Sequence, residues 1–327
     1  MTAFEGLKRF GGMGLLVAAL GLALAGCGEK DTRPQVAAIL FQEDEFFRLV
    51  EKGMEEAAAE ADVRLLLSNS SNSLEREISL VDTYVTRGVD AIAVAPLSVD
   101  ASVPALKRAH EAGIAVVTFD SLLNADFPKA SVTSDQVSLG RTTGEAARRY
   151  IEEELGGKAK IALIEYISLA PETGLLRVQG FKEVMEQMPG VEIVTEQDAW
   201  LAPQATDVVT SLLTAYPDVN VVWAANEGGT VGAVMAVRGA GKAGQVAVFG
   251  TDMSVQIADF LLADDGVLQA TTGQKPFDIG KQTLESAVRA MRGEEVEKEV
   301  SLPGILFTRD DPDHVREYRG FLEEISR

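Results

Sequence analysis

Short apolar runs alternate with helical spacings along most of the chain. Val36 to Phe41 is an unbroken apolar run, and residues 46–61 then repeat at helical intervals. Val63 to Leu67 predicts the next strand, and Leu74, Ile78, Val81 and Val85 fall on one face of a helix. Ala91 to Ala95 predicts a strand that Pro96 ends, 101–112 a helix, and Ala115 to Phe119 another strand. The alternation then restarts. A helix over 136–155 leads into strands at Ile161–Tyr166, Val191–Val194, Val219–Trp223 and Val246–Gly250, separated by helices over 173–188, 204–215 and 229–238. A last helix covers 312–326. Strands alternating with helices predict parallel sheets covered by helices. Val89–Pro96 runs like Val219–Asn226, and strand spacing is similar in both halves. The expected fold class is α/β, with two similar doubly wound parallel-sheet lobes. Such sheets bind ligands beyond the carboxyl ends of their strands, so two facing lobes would share one cleft.

The N-terminus changes the picture of where this fold works. Lys8 and Arg9 precede an apolar run from Phe10 to Gly26, which ends in Leu24-Ala25-Gly26-Cys27. Charge, apolar run, small residues and cysteine in that order predict a lipoprotein signal peptide over 1–26, lipidated at Cys27. Residues 27–34 would tether the fold to a bacterial membrane, facing the periplasm or the outside. Cys27 is the only cysteine among 327 residues. An intrachain disulfide, a CxxC redox pair and a Cys-rich zinc site are therefore excluded. The formal charge is −20, a surface that repels nucleic acid. The two histidines, His110 and His314, offer no histidine metal site. Gly239-Ala240-Gly241-Lys242-Ala243-Gly244 spells GxGxxG but follows a predicted helix and leads into a strand, the reverse of a dinucleotide site. No metal, cofactor or catalytic residue is expected.

The strand ends carry an ordered set of landmarks: Asp44-Glu45-Phe46-Phe47, Lys52-Gly53, Arg87 to Ile92 before Pro96, Val117-Thr118-Phe119-Asp120, and Ser134-Asp135-Gln136. Arg177-Val178-Gln179-Gly180-Phe181, Leu213 to Val219 before Asn226-Glu227, Phe249-Gly250-Thr251-Asp252 and Gln274 complete it. In this order and spacing the chain resembles the periplasmic sugar-binding proteins of ABC transporters, the ribose- and galactose-binding type, over roughly residues 35–310. The resemblance implies a type I periplasmic binding protein whose lobes are joined by three hinge crossovers, near 133–136, 273–276 and 303–306. It implies an N-terminal lobe of 35–134 plus 275–303 and a C-terminal lobe of 135–274 plus 304–327. It carries the ligand-binding positions onto Asp44, Phe46, Phe47, Asp120, Arg177, Trp200, Asn226, Asp252 and Gln274. Ser121 stands where the ribose type has arginine, and Ala95 where it has asparagine.

Aromatic rings cover the apolar faces of a sugar, and Phe47 and Trp200 would form such a sandwich from opposite lobes. Carboxylates accept from hydroxyls and Arg177 donates in a fixed fork. Asp44, Asp120 and Asp252 against one Arg177 disfavour an acidic ligand. The expected ligand is a small neutral sugar or polyol, the expected partner an ABC permease, and the expected state a monomer. A ligand-presenting sensor, a binder of a small cation and a two-carboxylate hydrolase or isomerase are the alternatives.

Overall fold

The first apolar run becomes β1 (Gln35–Leu40), a strand buried on both faces, and the alternation follows it through α1 (Glu45–Ala61), β2 (Arg64–Asn69), α2 (Leu74–Arg87), β3 (Ala91–Val94), α3 (Val103–Glu111), β4 (Ala115–Phe119) and β5 (Ala130–Ser134). The second series is α4 (Gln136–Glu154), β6 (Ala159–Glu165), α5 (Pro171–Met185), β7 (Val191–Asp198), α6 (Ala202–Ala215), β8 (Val221–Ala224), α7 (Glu227–Gly239), β9 (Ala247–Thr251), α8 (Val255–Leu261) and β10 (Leu268–Gly273). The chain closes with α9 (Pro276–Met291), β11 (Glu299–Leu302), β12 (Ile305–Thr308) and α10 (Pro312–Ile325). This computed structural model describes residues 31–43 and 45–325, so the signal segment, Cys27 and Asp44 lie outside the described residues.

Two six-stranded sheets result, ordered β2-β1-β3-β4-β5-β11 and β7-β6-β8-β9-β10-β12. Each is doubly wound, and each reverses its strand order beside its first strand, β1 or β6. One strand departs from the all-parallel expectation: β12 runs antiparallel to β10. It comes straight from β11 in the other sheet, with only Pro303-Gly304 between them. The chain passes between sheets at three places: β5 to α4, β10 to α9, and β11 to β12. The first two helices then cover the sheet they have just reached. Ile279, Leu284, Ala287 and Val288 of α9 join Val36, Val117 and Val132 in one core layer of the first sheet. Ala146, Ala147 and Ile151 of α4 join Ile161, Leu163 and Phe249 in a layer of the second.

Glycine sets how close these covering helices come. A Cβ on Gly280 would lie 1.9 Å from the Val50 carbonyl, and one on Gly53 2.0 Å from that of Phe277, so α9 and α1 cross backbone to backbone. The second lobe repeats the device: Gly140 of α4 faces the Arg177 carbonyl at 1.9 Å and Gly180 of α5 faces that of Val137 at 2.0 Å. Ion pairs flank both crossings, Lys281 with Glu56 at 2.7 Å and Arg141 with Glu183 at 2.6 Å. The GxGxxG stretch ends α7, with Gly241 and Gly244 at φ 65 and 76, and leads into β9.

Candidate functional site

Residues at or just past the carboxyl ends of β5, β7, β8, β9 and β10 are linked by hydrogen bonds, at the end of the sheets where doubly wound folds receive ligands. Arg177 is brought there by the glycine crossing, which pulls its turn of α5 onto α4. It is 4% exposed. Its Nε and Nη2 donate to Gln136 Oε1 at 3.0 and 2.6 Å, and Nη1 donates to the Ala225 carbonyl at 2.7 Å. Asp252 Oδ1 stands 3.8 Å from Nη1. The guanidinium keeps two further N–H groups beyond these three bonds.

Asp252 is the second node. Its Oδ2 accepts from the Glu227 amide at 2.9 Å and its Oδ1 from Gln274 Nε2 at 2.8 Å. Gln274 Oε1 in turn accepts from Ser134 Oγ at 2.7 Å. Ser134 ends β5 of the first sheet and Gln274 follows β10 of the second, so this chain of bonds joins the two lobes at a crossover. Asp120 and Asp252 occupy matching places after β4 and β9. Both adopt the left-handed region, φ 62 and 73, and their amides donate to Val132 and Thr272 of the neighbouring strands. Non-glycine residues held there carry about 1–3 kcal/mol of strain and cluster at ligand sites.

Asn226 caps α7, its Oδ1 accepting from Gly229 at 3.1 Å while Nδ2 holds the Trp200 carbonyl at 2.9 Å. Gly228 lets that loop approach, since a Cβ there would meet the same carbonyl at 2.2 Å. Trp200 is half-buried against the second-lobe core. The structure thus links Arg177, Trp200, Asn226, Asp252 and Gln274 through direct bonds and adjacent backbone. Phe46 and Phe47 form an edge-on cluster with Phe41 at the start of α1. Phe47 is 3% exposed and belongs to the first-lobe core, so Phe46 is the more open ring of the pair. Beside them a cavity of about 450 Å³ is lined by Leu40, Gln42, Phe47, Glu51, Ser68 and Asn69.

Residues 37–295 match the periplasmic binding protein domain. The chain belongs to that family. Among periplasmic binding proteins it is 30% identical over 306 residues to the ABC transporter periplasmic-binding protein YphF of Escherichia coli, covering 91% of this chain and 92% of that one. The D-ribose/D-allose-binding protein of Pseudomonas aeruginosa is 31% identical, over 83% of this chain and 86% of its own. A solved periplasmic solute binding protein of an ABC transporter from Actinobacillus succinogenes, with bound D-allose, has a TM-score of 0.79 and 28% identity. That match covers 86% of this chain and 100% of the other.

Sequence reasoning passed over several neighbours that the geometry of this periplasmic binding protein brings in. Gln136 anchors Arg177, and its signal was its place at the crossover, a polar residue opening a helix. Tyr166 follows β6 with its ring 5.1 Å from the guanidinium carbon of Arg177, and burial pushes its phenol above the ordinary range. Glu165, 7% exposed, precedes it. Burial and the proton shared with Glu196 push the Glu165 carboxyl up to about 7, while Lys182 holds Glu196 by an ion pair at 2.5 Å. Among the described residues no His/Cys/Asp/Glu group suits a metal, and no helix is long and apolar enough to cross a membrane.

Proposed function

We propose that this chain is the solute-binding component of an ABC importer, capturing one small neutral sugar or polyol between its lobes and delivering it to a membrane permease. The observation that carries the reading is the bonded path Arg177–Asp252–Gln274–Ser134, which ties a buried donor–acceptor cluster to the crossover between the sheets. Ligand binding at the cluster and closure of the lobes are then one event. The moving bodies are 35–134 plus 275–303 and 135–274 plus 304–327, and the protein acts as a monomer. Arg177 supplies its two spare N–H groups, Asp120 and Asp252 accept from hydroxyls, and Trp200 and Phe46 cover the apolar faces. The surplus of carboxylate disfavours anionic ligands. The D-ribose/D-allose-binding relative and the D-allose-bound neighbour support a pyranose or pentose of this kind. Lipidation of Cys27 would keep the binder beside its permease, and a Cys27→Ala chain would bind ligand normally but leave the membrane fraction.

Calorimetry against D-ribose, D-allose, myo-inositol and a wider sugar panel tests the proposal. Binding of at least one, with a matching rise in melting temperature, is the expected result. No binding and no thermal shift across the panel overturns it.

A further inference from the structure

Tyr166 has no part in the site as the sequence reads it. It stands one residue past β6, the strand beside which the second sheet reverses its order, so it occupies the place where such sheets receive ligands. Its ring lies against the Arg177 guanidinium. It is 6% exposed, yet its hydroxyl has no hydrogen-bond partner. Thr173 lies alongside, but its own hydroxyl donates to the Ala170 carbonyl at 3.4 Å and makes no well-directed bond with the phenol. Buried polar groups are nearly always paired, because an orphan keeps its full desolvation penalty. Phenylalanine would fill the same apolar space without that penalty, so packing does not account for the oxygen. The charges that bear on the hydroxyl are Arg177 and Asp252 from the second lobe and Asp120 from the first. These are three of the residues expected to hold the ligand.

We infer that Tyr166 is a specificity-determining residue: its ring holds Arg177 in place, and its hydroxyl pairs with a hydroxyl of the bound ligand. The inference rests on the polyol-binding function proposed above. A phenol both donates and accepts, so it reads a hydroxyl in either sense. A ligand lacking that hydroxyl leaves the phenol unpaired and is discriminated against.

Tyr166→Phe and Tyr166→Leu, beside the parent protein, separate the two roles. Affinities for D-ribose, D-allose and myo-inositol are measured by calorimetry, and melting temperatures without ligand. Tyr166→Phe keeps the ring, so its ligand-free melting temperature stays level or rises by about 2 °C. Its affinity for the tightest of the three ligands falls about three- to tenfold. Tyr166→Leu also frees the Arg177 guanidinium and weakens binding further. Stability held or gained while affinity is lost is a pair of results that a purely structural tyrosine does not give. Affinity of Tyr166→Phe within twofold of the parent overturns the inference. So does a fall of more than about 4 °C in its ligand-free melting temperature, since the hydroxyl then serves the fold. The melting arm needs no ligand and judges the inference even when none of the three binds. Failure of the parent protein to bind any of them counts against the proposed function instead.

Discussion

Gly280→Ala adds one methyl group to the crossing of α9 and α1, and the structure sets its consequence. The new carbon would stand 1.9 Å from the Val50 carbonyl oxygen and 2.8 Å from its carbon. Carbon contacts are most favourable at about 3.5–4.0 Å, so the helices must part by more than about 1 Å. The obstacle is backbone, which no rotamer change relieves. Parting the helices loosens Ile279, Leu284, Ala287 and Val288 from Phe47, Val50 and Met54. A gap of this order forfeits a quarter to a half of the dispersion energy across each contact. Overpacking a core ordinarily costs about 1–3 kcal/mol. With the helix contacts also loosened, we expect a loss of about 3 kcal/mol or more, and a melting temperature lower by roughly 6 °C or more. Gly320→Ala is the control. Gly320 lies within α10 with no atom within 4 Å of an added Cβ, so alanine there should stabilise by about 0.5–1 kcal/mol through helix propensity alone. The assay is urea and thermal unfolding of both variants beside the parent. A Gly280→Ala protein within about 1 kcal/mol of the parent, or a Gly320→Ala protein equally destabilised, refutes the reasoning.

Other substitutions probe the site. Arg177→Met leaves the Ala225 carbonyl, Gln136 and Asp252 without their cation, so stability should fall by about 3–5 kcal/mol and ligand binding should vanish. Arg177→Lys keeps the charge but not the fork, and calorimetry should show it binding far more weakly than the parent; parent-like affinity would argue that charge alone suffices. Glu165 gives a pH signature. Its carboxyl is raised by burial to about 7 in the folded state, so the protonated form is the one the fold favours. Its contribution is therefore fully present below about pH 4.5 and lost as pH rises through about 7, by up to about 3 kcal/mol. Glu165→Gln should flatten stability against pH in that window and exceed the parent in urea midpoint at pH 8. An unchanged slope would exclude Glu165 as its source.

The two sheets were legible because their central strands are buried on both faces and read as unbroken apolar runs. That signal fails in the last third. β11 (EVSL) alternates exposed and half-buried positions, and β10 (LQATTG) offers only Leu268 and Ala270 as apolar residues beside its buried threonines and glycine. Periodicity therefore gave no element between Gly250 and the last helix, so α8, β10, α9, β11 and β12 came only with the structure, as did β5, whose buried positions alternate. In the site, the charged and aromatic strand-end residues stood out by type. Their bonding did not. Asn226 spends its oxygen on a helix cap, Gln274 spends both ends between Ser134 and Asp252, and Gln136 is the residue that fixes Arg177. Tyr166 looked like the last apolar residue of a strand, and only its orphaned hydroxyl distinguishes it.

The helix α9, delivered to the first lobe from the second, also makes the first lobe wait for the second during synthesis. The first lobe has five strands once residue 134 is made, but its core layer lacks Ile279 to Val288. The buried members of the second-lobe layer built on α4 and α5 end at Ala270, with Leu306 packed against them. On a ribosome adding about 5–20 residues per second, this face of the earlier lobe is covered by α1 alone for on the order of ten seconds. During synthesis the N-terminal half, although it leaves the ribosome first, therefore waits with an unfinished core that proteases, chaperones and wrong partners can reach.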